Sequence, residues 1–338
     1  CFLIFEIMKT IYIHAGYPKA ASTFLQKGIL PNIKKLRFLN NSFELEFEKL
    51  LSLIFYSTDE EFIGKYEKYA EFFSNIDENY TNIFSSEGFT TFGGKNNFQI
   101  SYVFERLKLV AIKKNLRIKI YLVIRNQCDY LLSRYAQGHG ENSFYSVNKK
   151  FEKFKNVINF FYLDEKNRKF EEKNLFQTFN YYKEIMNLKK IFGNENVCVG
   201  IFENLNENMD LFLKDLFSFL KLDLKENYKD LDLSKKNVGK KSVQNEYFRR
   251  KHLSTKPIKG SLNIIATFLP FKKFFFKIFN RELKNKIKIL SYKLDSIILN
   301  HDKIILDNNE REKIKEYYKD SNIKLSELLN IDLKKLNY

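Results

Sequence analysis

Apolar and polar positions alternate in two rhythms along the first part of the chain. Residues 10–13 (TIYI) form a run of β-branched and aromatic side chains that stops before Gly16, which predicts a buried strand. Residues 20–26 carry no breaker until Gly28 and Pro31, so a helix is predicted there, with Ser22 or Thr23 able to supply a hydroxyl at its start. The alternation repeats downstream. Residues 59–76 predict a helix opened by Thr58 and Glu61 as a capping pair, with Phe62, Tyr66, Tyr69 and Phe73 at helical spacing. Residues 81–86 (TNIFSS) read as a short strand running into Glu87-Gly88-Phe89, and residues 102–114 as the next helix. Residues 119–124 (KIYLVI) then give a strand ending in Arg125, with a helical pattern over 129–137. Strand and helix in alternation predict an α/β fold, a parallel sheet flanked by helices on both faces. Ligands of such sheets bind at the strand ends of one edge.

From 138 to 174 the pattern blurs around a GHGENS loop, and the stretch reads as irregular. Residues 175–192 predict one amphipathic helix stopped by Gly193, residues 197–202 (VCVGIF) a strand ending in Glu203-Asn204-Leu205, and residues 208–220 a helix. The remainder is mostly helical by pattern, and residues 314–338 read as an amphipathic helix pair ending in an aromatic. A chain of 338 residues can bury a large core. The expected organisation is a single domain over 1–338, with an α/β donor-binding core at 9–230 and a helical extension at 231–338.

The chemistry starts at the first strand end. A strand that turns through a tight, Lys-bearing loop into a helix collects unpaired backbone N–H groups around one point and suits a phosphate. The loop is not a Walker A sequence. That pattern is GxxxxGK followed by Ser or Thr, whereas Gly16 is followed five residues on by Ala21 and Lys19 lies inside the loop. The usual Mg²⁺ seat of an ATPase or GTPase is therefore not evident, and no metal is expected. The order Tyr17-Pro18-Lys19-Ala20-Ala21-Ser22-Thr23-Phe24 instead resembles the 5′-phosphosulfate loop of sulfotransferases, roughly YPKSGTTW. It departs from that pattern with Ala21 for Gly, Ser22 for Thr and Phe24 for Trp.

A second motif stands at a matching distance. Arg125 and Ser133 are eight residues apart, and in sulfotransferases a strand-end Arg and a helical Ser at this spacing bind the 3′-phosphate of 3′-phosphoadenosine 5′-phosphosulfate. A planar guanidinium grips phosphate oxygens in pairs, and a hydroxyl fills a remaining lone pair. Taken alone, Arg125 capping a turn and Ser133 on a helix surface would be an equally good reading. The resemblance extends to the late strand with its "YEDL"-like ending at Phe202-Glu203-Asn204-Leu205, and to a tail similar to that of bacterial sulfotransferase-like sequences. It implies the P-loop-like sulfotransferase fold, the sulfuryl donor 3′-phosphoadenosine 5′-phosphosulfate, and a hydroxyl acceptor. Tyr17 to Thr23, with Arg125 and Ser133, would then hold the donor, and Lys19 would answer charge on the leaving phosphate. Glu87 is the nearest candidate for the base, as in several glycan and protein sulfotransferases that carry a carboxylate just past the second strand. The cytosolic small-molecule branch uses a His there. The likeness thus leans toward a carbohydrate or glycolipid hydroxyl, with His139 as the alternative base.

Composition adds less. The net charge is +17, from 58 basic and 41 acidic residues, with the lysines spread along the whole chain. That balance suits an anionic donor, but it equally suits nucleic acid or a membrane surface. Cys1, Cys128 and Cys198 are far apart without CxxC or His spacing, which argues against a disulfide framework or a zinc site and fits a cytoplasmic setting. The opening CFLIFEI is too short for a signal peptide or a membrane span, and both Cys1 and Met8 stand as the start. His14 sits in the first strand, where a satisfied core imidazole is the ordinary case, and His252 and His301 have no companions at metal spacing. In the loop SKKNVGKKS, Lys240 or Lys241 could close the 3′-phosphate site, or the loop is merely solvated. Residues 268–281 (FLPFKKFFFKIFNR) suit a peripheral membrane contact or packing of their rings on the domain. Two rival classes stay open: a P-loop kinase, and a basic membrane-surface or nucleic-acid binding module. The second lacks any RNP-like strand or helix-turn-helix signal.

Overall fold

The computed structural model describes residues 8–42, 45–90, 100–136, 154–234, 247–249 and 302–338. Five parallel strands make the central sheet: β1 (Lys9–His14), β2 (Leu36–Phe38), β3 (Thr81–Ser85), β4 (Leu116–Ile124) and β5 (Val197–Ile201). Their order is β2-β3-β1-β4-β5, so the first strand is central. The register sets His14 beside Ser85 on one side and Tyr121 on the other, and Ile124 beside Ile201. The chain leaves β1 toward β2 and β3 and leaves β4 toward β5. Connections therefore diverge between the ends of β1 and β4, the switch point where open parallel sheets form a crevice.

Side-chain alternation sends successive residues to opposite faces, and both faces are covered. On one face Tyr12 and Tyr121 meet Phe219 of the helix Met209–Leu220, with ring centroids 5.5 and 6.2 Å apart. Gly200 allows this, because a Cβ there would lie 2.4 Å from the Tyr121 hydroxyl oxygen. On the other face the helix Ile100–Lys113 packs on β4 and on the helix Tyr181–Phe192, and Phe104 lies 6.0 Å from Phe192 by ring centroid. The long helix Asn308–Leu329 closes the fold against Phe154–Tyr162, Gln127–Ala136 and Tyr181–Phe192. A short antiparallel pair joins Tyr247–Arg249 to Asp302–Ile304.

Several expectations are corrected. The first helix starts at Ser22 rather than residue 20, no side chain caps it, and the turns run on through Gly28 and Pro31 as a π segment (Leu25–Ile29) and a 3₁₀ turn (Leu30–Asn32). The single helix over 175–192 is two, Phe170–Gln177 and Tyr181–Phe192. They part because the Thr178 hydroxyl donates back to Leu175 O and the Asn180 side chain caps the second helix at Lys183 N. Within 138–174 the helix Phe154–Tyr162 is regular, not irregular. The closing stretch is one helix and a 3₁₀ turn, Leu333–Leu336, rather than a helix pair, since Asn330 turns left-handed at φ 52°. Glu203 follows β5 on a helical turn, Phe202–Glu207. Cys1, His139, His252, His301, Lys240, Lys241 and residues 268–281 lie outside the described residues.

Candidate active site

The loop after β1 stays attached to β4 before it turns away. Ala15 N–H donates to Tyr121 O at 2.9 Å and Tyr17 N–H to Val123 O at 3.2 Å, and Ala20 N–H closes a turn on Tyr17 O. Tyr17 is fully buried, donates its hydroxyl to Thr178 O at 2.8 Å, and packs edge-on against Tyr130 and Tyr181. Pro18 and Ala20 are buried, Thr23 is half-buried, and Lys19 is exposed. Lys19 and Ala21 both adopt left-handed backbone, at φ 71° and 66°, with Ala20 between them in an ordinary conformation. Alternating backbone handedness turns successive N–H groups to the same concavity, a recurrent anion seat. Among the described residues, no hydrogen bond within the chain engages the N–H of Gly16, Ala21 or Ser22.

Two side chains beside that loop are buried with polar atoms left open. Ser22 is 2 % exposed and its hydroxyl has no partner. His14 bonds Ser85 Oγ through Nδ1 at 2.7 Å, while its Nε2 has no partner. Both atoms border Gly16, where a Cβ would fall 2.6 Å from His14 Nε2 and 2.9 Å from Ser22 Oγ, so only glycine fits. Burial pushes His14 down to about 3, which keeps the imidazole neutral at ordinary pH and makes it a poor base. The reading of His14 as a satisfied core imidazole is therefore half right. Such open atoms inside a fold are uncommon and mark a place where a ligand's oxygens can substitute for missing partners.

β4 brings the second motif to the same edge. Arg125 is 5 % exposed, donates from Nη1 to Lys19 O at 3.0 Å across the switch point, and lies over the Phe202 ring at 4.5 Å. Its carbonyl accepts from the Tyr181 hydroxyl at 2.7 Å. Ser133 is on the following helix and only 9 % exposed, so the surface reading of that residue does not hold. Glu87 stands half-buried past β3, on a 3₁₀ turn tied to the loop: Ser86 N–H donates to His14 O, and Thr90 N–H donates to Glu87 O. The Thr90 hydroxyl then donates to Gly16 O at 2.9 Å.

The structure thus gathers Tyr17 to Thr23, Glu87 and Arg125 at one sheet edge. A polar set around them, half-buried at Gln26 and Asn40 and buried at Asn126 and Glu203, escaped sequence reasoning. Gln26 donates to Ser85 Oγ, Asn40 exchanges two bonds with the Ser85 backbone, and Glu203 accepts from both N–H groups of Asn126. Glu184, on the helix behind Tyr17, has an unpartnered carboxyl oxygen, and burial raises it to about 7. No group of three potential ligands capable of holding a metal occurs among the described residues.

Comparison with solved structures bears on the whole arrangement. Over 97 % of this chain and 98 % of the other, the structure matches a sulfotransferase from Alicyclobacillus acidocaldarius, with a TM-score of 0.50 at 12 % identity. The fold is that of the sulfotransferases. A sulfotransferase domain from the Synechococcus PCC 7002 olefin synthase overlaps 67 % of this chain and 80 % of its own, with a TM-score of 0.37 at 15 % identity. A mouse sulfotransferase complexed with PAP overlaps 65 % and 62 %, with a TM-score of 0.31 at 14 % identity. Neither of these looser overlaps adds to the fold assignment. No family model and no curated protein matches the sequence. No helix among the described residues is long and apolar enough to cross a membrane.

Proposed function

We propose that this chain transfers a sulfuryl group from 3′-phosphoadenosine 5′-phosphosulfate to a hydroxyl acceptor of the carbohydrate or glycolipid class. The observation that carries the reading is the loop from Gly16 to Ser22, with its open N–H groups and buried unpartnered Ser22 hydroxyl, joined to the strand-end Arg125 through Lys19 O. An anion with two separated phosphate groups fits that combination better than one with a single terminus.

When bound, the donor supplies an electrophilic sulfur and a phosphate leaving group. The residues supply the rest. N–H groups of Gly16, Ala21 and Ser22 and the Ser22 hydroxyl would hold the 5′-phosphate, while the exposed Lys19 ammonium answers charge that grows there during transfer. These donors are set by the backbone in advance, so little reorganisation is needed. Arg125 and Ser133 would hold the 3′-phosphate, with the Phe202 ring beneath the planar guanidinium limiting its orientations. Glu87 would take the acceptor's proton from the neighbouring strand end.

The deciding measurement is a thermal-shift titration with 3′,5′-diphosphoadenosine against ATP, without Mg²⁺. The diphosphate should stabilise the fold and ATP should do so less; equal shifts would leave the P-loop kinase as the better account. Glu87→Gln should lower turnover by roughly 100-fold or more with diphosphoadenosine affinity nearly unchanged. Turnover retained in that variant would remove Glu87 from the site.

A further inference from the structure

The turn that carries Arg125 is braced from a distance. Its carbonyl is held by Tyr181, and the next residue, Asn126, gives both its backbone N–H (3.0 Å) and its side-chain amide (2.9 Å) to Glu203 Oε1. Glu203 Oε2 accepts the hydroxyl of Tyr338 at 3.0 Å, from 135 residues along the chain. Tyr338 also meets the Tyr181 ring edge-on at 6.4 Å, so the two tyrosines form one wall. Phe202, the residue before Glu203, is the one that underlies the guanidinium. The step Phe202-Glu203 therefore meets Arg125 at both ends, Phe202 under its head group and Glu203 on the peptide N–H that follows it, and Tyr338 holds the Glu203 carboxylate.

The chemistry of the pair is asymmetric in a useful way. Three donors converge on Glu203, a backbone N–H, an amide and a phenol, and a carboxylate that only accepts can take all three. Glu203 and Tyr338 are each 8 % exposed, so little water competes for those bonds. Burial raises Glu203, and the bonds from Asn126 and Tyr338 and the charge of Arg125 oppose that rise.

We propose that Glu203 and Tyr338 are positioning residues that hold Arg125 in register to grip the donor's 3′-phosphate. The inference rests on the donor reading given above. It makes the segment around Tyr338 part of the donor site rather than only a cover for the helices.

The test compares 3′,5′-diphosphoadenosine with AMP, which lacks the 3′-phosphate, by titration calorimetry of wild type, Tyr338→Phe and Glu203→Gln without metal. Wild type should prefer the diphosphate, and each variant should lose about tenfold of that preference while AMP affinity stays within about twofold. Tyr338→Phe removes one oxygen and keeps the ring, so it decides the matter if Glu203→Gln fails to fold. A folded variant with the wild-type preference overturns the positioning role and leaves Arg125 untouched. Equal losses for both ligands would also overturn it, since they report a general loosening. A wild type that does not distinguish the two ligands overturns the donor reading itself, and this inference with it.

Discussion

Two buried polar clusters in this molecule are built on opposite principles. In the first, Arg106 is 2 % exposed and sits between the end of the helix Leu45–Tyr56 and the start of the helix Asp59–Ala70. Nη1 donates to Leu53 O, Ile54 O and Ser57 Oγ, and Nη2 to Ser57 O, Asp59 Oδ1 and the Tyr102 hydroxyl oxygen. The Phe62 and Tyr102 rings flank the guanidinium at 4.9 and 4.6 Å. Carbonyls orphaned at a helix end thus find a donor within the chain. Around Gly16, by contrast, the Ser22 hydroxyl, His14 Nε2 and three N–H groups are left without one. Of the Arg106 guanidinium only Nε lacks a partner, whereas around Gly16 two side-chain atoms and three backbone N–H groups stay open against one concavity, a concentration that suits a ligand site.

The comparison breaks most visibly at Arg106. Arg106→Met keeps much of the apolar bulk but strands the carbonyls of Ile54 and Ser57, while Leu53 O keeps the Ser57 N–H and hydroxyl, and should cost on the order of 3–5 kcal/mol of unfolding free energy. Denaturant unfolding checks this, and the folded fraction should bind diphosphoadenosine normally. Arg125→Ala should do the reverse. Its loss falls on donor binding, on the order of 2–4 kcal/mol or roughly 30- to 1,000-fold in Kd, with Arg125→Lys recovering only part because the fork is gone. Unchanged diphosphoadenosine affinity in Arg125→Ala would place the 3′-phosphate elsewhere.

Two buried groups near the open loop titrate in opposite senses. His14 is held near 3 against an ordinary 6.5, so its contribution to stability is complete above pH 6.5 and is lost as pH falls toward 3. Glu184 is held near 7 against 4.5, so its contribution is complete below pH 4.5 and is lost as pH rises toward 7. Between those limits the folded state keeps the Glu184 proton and the unfolded state keeps the His14 proton, and the two slopes of about 1.4 kcal/mol per pH unit cancel. Glu184→Gln leaves His14 alone. Relative to wild type, its stability should climb by about 2–3 kcal/mol from pH 4.5 to 6.5, read by urea unfolding at several pH values. A pH-independent difference would mean that Glu184 is not held protonated.

How much of this was legible in the sequence depends on the range of the interaction. β1, β3, β4 and β5 follow from short apolar runs, and the Thr58 cap from a local pair, with Thr58 Oγ1 accepting from Glu61 N at 3.2 Å. The loop and Arg125 were legible because a motif is local. β2 is three residues long and left no run to read. The break at residues 178–180 was hidden because the apolar spacing continues through it, and only the Thr178 and Asn180 side chains divert the backbone. Tyr338, Asn40 and Gln26 reach the site across the fold, and no spacing announces a contact between Glu203 and Tyr338. Open atoms such as Ser22 Oγ are a property of the packed structure alone.

The smallest effect tests the loop itself. Sulfotransferase loops usually carry Gly where this chain has Ala21, and Ala21 does adopt φ 66° and ψ 4°, a conformation that crowds any Cβ. Ala21→Gly relieves that crowding and also frees the unfolded chain, which opposes the gain. The balance should be a stabilisation of about 0.5–1 kcal/mol, since alanine at positive φ costs more than glycine's extra entropy. Ala20→Gly, one residue away at ordinary φ, has no strain to relieve and loses a fully buried methyl, so it should destabilise by at least about 0.5–1 kcal/mol. Opposite signs at neighbouring alanines would place the strain in the loop's left-handed step. If both variants lose stability alike, Ala21 is unstrained and the concavity of open N–H groups is not held by backbone handedness.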